Sequence, residues 1–170
     1  PMGRALKEIL SSPRLRRIIF AWGSSFAAFV LVIPFAVVTV KNGYGLSDYA
    51  ALIFSLLVLA GGILSSAINA GVSDHSGPRP LLILYVTGLI LVAGYWAFAP
   101  SRFAPIPTAA AFFTAGFCKT GIILTNSHYL LSAVEAGRRV SISLFARMAG
   151  GAMAGLAASV GGGTLLRILR

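Results

Sequence analysis

Apolar and polar positions alternate on a coarse scale along this chain. Five long apolar runs, at about 15–40, 48–70, 81–98, 108–131 and 140–163, are separated by short polar punctuation. Some 20 apolar residues suffice for a helix to cross a hydrocarbon core of ~30 Å, so the pattern predicts five transmembrane helices in an all-α bundle. Residues 1–14 form a polar lead-in on which Leu6, Ile9 and Leu10 give an amphipathic turn or two at the membrane surface. Ser11-Ser12-Pro13 then restarts the helix, with proline at an early position. Pro34 is expected to kink the first span near its far end, and Lys41 to Gly45 is read as the turn. Leu46-Ser47-Asp48 is read as the capped start of the second helix. Tyr95-Trp96 reads as part of an interfacial aromatic belt, followed by a tight loop over 100–107.

Small residues recur at period four in two of the runs. Gly62, Ser66 and Ala70 make a groove on the second. The fifth has two ridges, Gly150-Ala154-Ala158-Gly162 and Gly151-Gly155-Ser159-Gly163. Either ridge suits close approach of another helix.

Composition agrees with a membrane chain. Of 170 residues, 57% are hydrophobic and 11% charged, against about 25% charged in soluble domains. The net charge of +10 does not indicate nucleic acid, because the basic residues sit at the ends of apolar runs rather than along one face. Their distribution sets an orientation instead. With the amino terminus inside, inner segments carry eight (Arg4, Lys7, Arg14, Arg16, Arg17, Arg79, Arg138, Arg139) and outer segments four (Lys41, Arg102, Arg167, Arg170). The amino terminus is therefore expected in the cytoplasm. The first apolar run is too long for the h-region of a signal peptide.

Catalytic chemistry is poorly supplied. His75 and His128, four acids near interfaces and the single Cys118 build neither a metal site nor a triad, so neither an enzyme nor a cofactor is expected. Cys118 lies within an apolar run as a small packing residue.

Between the second and third runs lies Ala70-Gly71-Val72-Ser73-Asp74-His75-Ser76-Gly77-Pro78-Arg79-Pro80, read as a Gly/Pro-broken polar hairpin. It resembles the signature loop of the major facilitator superfamily of transporters, roughly G-x-x-x-D-[RK]-x-G-[RK]-[RK]. Asp74 matches the acid, Gly77 the second glycine and Arg79 a basic position. Ala70 stands in place of the first glycine, His75 in place of a basic residue, and prolines flank Arg79. Such wear is typical of the family's carboxy-terminal half. The Pro-bearing first run, the AGRR loop at 136–139 and the Gly-rich fifth run fit the same half in order. The resemblance then makes these runs the seventh to eleventh helices of twelve. It implies an incomplete six-helix half, a fragment in a bacterial cytoplasmic membrane, with an amino-terminal half as partner.

What the resemblance implies for function is transport of a small solute by alternating access, with Asp74, Gly77 and Arg79 as a gating loop. Two cations stand deep in spans, Lys119 and Arg147. A charge at such depth costs at least ~2.5–3.5 kcal/mol on insertion scales and normally faces a bundle interior or a wet cavity. Lys119 shares a helical side with Thr108, Ala115, Gly116 and Asn126; Arg147 shares one with Ser143, Gly150, Gly151 and Ala154. By the same resemblance Trp22, Ser25 and Phe29 face the substrate cavity. Two deep positive charges lean the substrate toward an anion. The bland alternatives are that Arg147 binds backbone carbonyls and that Lys119 snorkels or stays neutral. The competing reading of the whole chain is a five-span scaffold, or assembly partner, working through its small-residue ridges.

Overall fold

The structure, a computed structural model, describes residues 9 and 11–168, and for 73–76, 136 and 161–168 the backbone alone. Leu6 and Leu10 of the expected surface turn lie outside the described residues, as do Arg4, Lys7 and Arg170. Every regular element that is described is helical. Helix α1 is Pro13–Val38, continued by five residues of wider π-helical winding, Thr39–Gly43. Then come α2 (Asp48–Ser76), α3 (Pro78–Ala97), α4 (Pro105–Ala133), a 3-10 turn at Ala136–Arg138, and α5 (Arg139–Ile168). Among the described residues five helices are long and apolar enough to cross a membrane.

Three boundaries differ from the sequence reading. The segment 41–43 is still helical, with the Tyr44 amide donating to Thr39 O at 3.0 Å as the winding widens and the Thr39 hydroxyl donating to Phe35 O at 2.9 Å. The turn falls instead at 44–47, where Gly45 takes φ +66°. Ser47 does cap α2, its hydroxyl accepting from the Ala50 amide at 3.3 Å. The supposed eleven-residue hairpin is mostly helix: α2 continues to Ser76, and Gly77 alone separates it from α3. Nothing in 71–76 forbids helix, since an isolated glycine is tolerated there. Gly77 reverses the chain with φ +70° and ψ 170°, a region essentially restricted to glycine, which costs a residue bearing a Cβ ~1–3 kcal/mol. Pro78 then starts α3 at a position with no amide to lose.

The chain divides into two compact units, one from residues 1–31 and 125–170, the other from 32–124. In the first, Leu15, Ile19 and Trp22 recur at helical spacing on α1 and pack with Leu130, Val134, Ile142 and Ala146. Trp22 is 6% exposed. Farther along, α1 and α5 approach closely: a Cβ on Gly23 would collide with the Met153 sulfur, and one on Gly150 would lie 3.9 Å from Gly23 Cα. Of the two predicted ridges, that of Gly150 and Ala154 is buried, while Gly151, Gly155 and Ser159 are exposed. The Arg139 guanidinium donates to Val134 O at 3.2 Å and so ties down the short loop before α5.

In the second unit α2, α3 and the first part of α4 form the core. At one end an aromatic cluster joins them, with Phe54 stacked on Phe112 at 5.2 Å and Trp96 edge-on to Phe112 at 5.4 Å. Tyr95 and Thr108 share a hydroxyl hydrogen bond of 2.9 Å. Trp96 is therefore core, not belt: it is 4% exposed and cannot meet headgroups. Tyr44 hydroxyl donates to Pro100 O at 2.9 Å. Desolvation, with the Tyr95 phenol adding to it, raises the Tyr44 pKa above its ordinary value. An exposed ion pair, Lys41 to Asp48 at 2.7 Å, closes the turn and adds little stability.

Candidate functional site

Lys119 stands midway along α4, in the second unit. It is half-buried, as α4 there carries small neighbours: Gly116 one turn before and Thr120 beside it. Those small residues let α2 come very close. A Cβ on Gly61 would strike the Phe113 carbonyl and lie 2.9 Å from Phe117 N, and one on Gly62 would lie 2.8 Å from Thr120 Oγ1. The close approach centres on Gly61 and Gly116. Gly62, which the period-four pattern singled out, shares in the contact through Thr120 and, with Ser66, borders an open groove of ≈ 390 Å³ beside it. Ser55, Ser66, Thr120 and Lys119 supply its polar groups, and Leu59 and Ile63 its apolar wall.

Chemically, the groove offers one amine, two serine hydroxyls and one threonine hydroxyl against an apolar background. The Ser55 hydroxyl donates to Ala51 O and the Ser66 hydroxyl to Gly62 O, each at 3.1 Å, so the donors of the set that suit an anionic or strongly polar group at membrane depth are Lys119 and Thr120. It contains no acid, so it holds no acid–base pair.

A second polar cluster lies deeper in the same unit. Asn69 Nδ2 donates to Tyr85 hydroxyl at 2.7 Å and to Ser65 O at 3.0 Å, all three residues being buried. The Tyr85 ring covers Gly121, where a Cβ would meet it. This cluster escaped the sequence reading. Asn69, a polar residue inside an apolar run, was its visible signal.

The remaining candidates fall differently. Asn126, Trp22, Ser25, Phe29 and Arg147 belong to the first unit, and Lys119 to the second. Trp22 and Phe29 are buried, Trp22 within the apolar cluster described above. Ser25 is partly exposed and its hydroxyl donates to Ala21 O at 2.8 Å. Asn126 is 2% exposed, and its Nδ2 has no hydrogen-bond partner among the described residues. Arg147 is exposed, and the stripe assigned to it divides: Gly150 and Ala154 turn inward, while Arg147 and Gly151 turn outward. Of the expected gating residues, Gly77 is the turn itself and Arg79 is exposed in the first turn of α3. Asp74 lies in the last turn of α2, and its side chain is outside the described residues.

Five helices of this length and apolarity define an integral membrane protein of the helical class. Comparison with family models, with curated proteins and with solved structures finds no match.

Proposed function

We propose that this chain is the second half of a secondary transporter, moving a small anionic solute by alternating access together with an amino-terminal half. The observation that carries the reading is Lys119, a cation at the midpoint of a membrane-length helix, on a largely apolar groove that also carries three hydroxyl groups. A mid-membrane ionisable residue is costly, and such residues mark substrate or ion paths. In transporters of this kind the site lies near the bilayer midplane and one bundle rocks against the other around it. The Asp74–Gly77–Arg79 resemblance supports the same reading. The protein then resides in a cytoplasmic membrane with its amino terminus inside.

Uptake into proteoliposomes containing the full-length gene product tests it. A panel of small anionic and neutral solutes is offered to wild type and to Lys119→Gln. Saturable uptake of an anion that Lys119→Gln lowers at least tenfold supports the proposal. Uptake of that anion unchanged in the variant removes it.

The exposed ridge Gly151–Gly155–Ser159 favours a second reading, an assembly module that packs on another helix. Crosslinking to a neighbouring chain that Gly155→Leu abolishes, in a protein without uptake of any solute, selects that reading.

A further inference from the structure

At the start of α1 the first unit has a second opening, ≈ 500 Å³, lined by Pro13, Arg14, Arg17 and Ile18 and closed on its other side by Tyr129 of α4. Arg14 and Arg17, three residues apart, share one helical face, and both are exposed. The opposite face of the same turns, Leu15 and Ile19, is buried in the apolar cluster. The arginine pair is thus carried on an anchored helix. Among the described residues neither arginine is taken up by an ion pair.

The opening sits where the helix passes from polar to apolar. Pro13 begins α1, and Phe20, one turn beyond Arg16, is 67% exposed. Tyr129 lies within the last two turns of α4, the place where tyrosines mark a membrane–water boundary. Two guanidinium groups beside a phenol recognise a phosphate, because the planar fork matches its oxygens. Pro13 and Ile18 add an apolar wall that a free phosphate would not use.

We propose that this opening binds the headgroup of an anionic phospholipid, its phosphate on Arg14 and Arg17 and its glycerol end against Pro13 and Ile18. Basic pockets at the ends of membrane helices suit such headgroups. The site involves neither Lys119 nor a solute, and so stands apart from the transport reading.

Native mass spectrometry of the full chain in detergent, titrated with phosphatidylglycerol or with phosphatidylcholine, tests it. Wild type is expected to retain phosphatidylglycerol selectively. Each arginine removed takes its charge-assisted bond to the phosphate with it, so Arg14→Gln with Arg17→Gln should weaken that binding by about tenfold or more. Arg16→Gln, one residue away and not lining the opening, should change it less than about twofold. Equal retention of the two lipids by wild type overturns the proposal. So does an equal loss in Arg16→Gln, which would mean diffuse charge, and so does displacement of the lipid by millimolar inorganic phosphate, which would mean a free-anion site. The wild-type comparison stands even if the double variant fails to fold.

Discussion

Gly116 of α4 rests on the carbonyl of Val58 of α2, with no space between them for a Cβ. In a bilayer no hydrophobic force draws helices together, so close backbone approach through small residues is a main source of their packing energy. Gly61 mirrors the arrangement from α2, against the Phe113 carbonyl. The Lys119 groove opens beside this contact, between the same two helices.

Gly116→Ala should therefore lower stability by about 1–3 kcal/mol, the usual result of overpacking against atoms that cannot yield. The obstacle is backbone, not a flexible side chain. Gly151→Ala faces open space and should leave stability unchanged or raise it by up to ~1 kcal/mol through helix propensity. Unfolding in mixed detergent micelles, followed by circular dichroism, reads both. Equal effects from the two variants would show that α2 and α4 do not touch at this point.

The Asn69–Tyr85 hydrogen bond should appear as a coupling energy. A double-mutant cycle of Asn69→Ala and Tyr85→Phe is expected to give about 0.6 kcal/mol and no more than ~1.7 kcal/mol, the range for such bonds between membrane helices. Tyr85→Phe keeps the ring over Gly121, so it isolates the hydroxyl. A coupling of zero would mean that the 2.7 Å contact does not exist in the folded protein.

Gly77→Ala should cost ~1–3 kcal/mol, because the one residue between α2 and α3 has φ +70° and ψ 170°. Arg79→Gln, exposed two residues later, should change stability by less than about 0.5 kcal/mol. A thermal melt in detergent separates the two. If both are neutral, the reversal at Gly77 is not so tight.

Much of the architecture is readable from periodicity. The five apolar runs, the Ser47 cap and the buried Cys118 follow from local chemistry and burial of apolar positions, and they recur in the structure. Helix ends are less legible. The segment 71–76 looks like a loop because it is polar, yet polarity does not stop a helix whose end lies in water; only a positive φ followed by proline stops this one. Trp96 likewise looks interfacial by type, but it packs edge-on to Phe112.

The candidate site divides along the same line. A lysine among small residues in an apolar run is conspicuous from the order of residues, because a charge in hydrocarbon is expensive wherever it occurs. Which small residues carry the helix contact is not conspicuous. Gly61 and Gly62 are adjacent, about 100° apart around the axis, and the period-four pattern favours Gly62.

The order of residues by itself determined a helical membrane protein with a cation at the middle of its fourth span, since length, apolarity and charge act locally along the chain. Only the tertiary structure decided which face of each helix meets another: that Gly61 and Gly116 pack, that Gly150 rather than Gly151 turns inward, and that Arg14 and Arg17 line one opening with Tyr129. Faces are chosen by fit between segments far apart in sequence, and every ridge of small residues offers several fits until a neighbour occupies one.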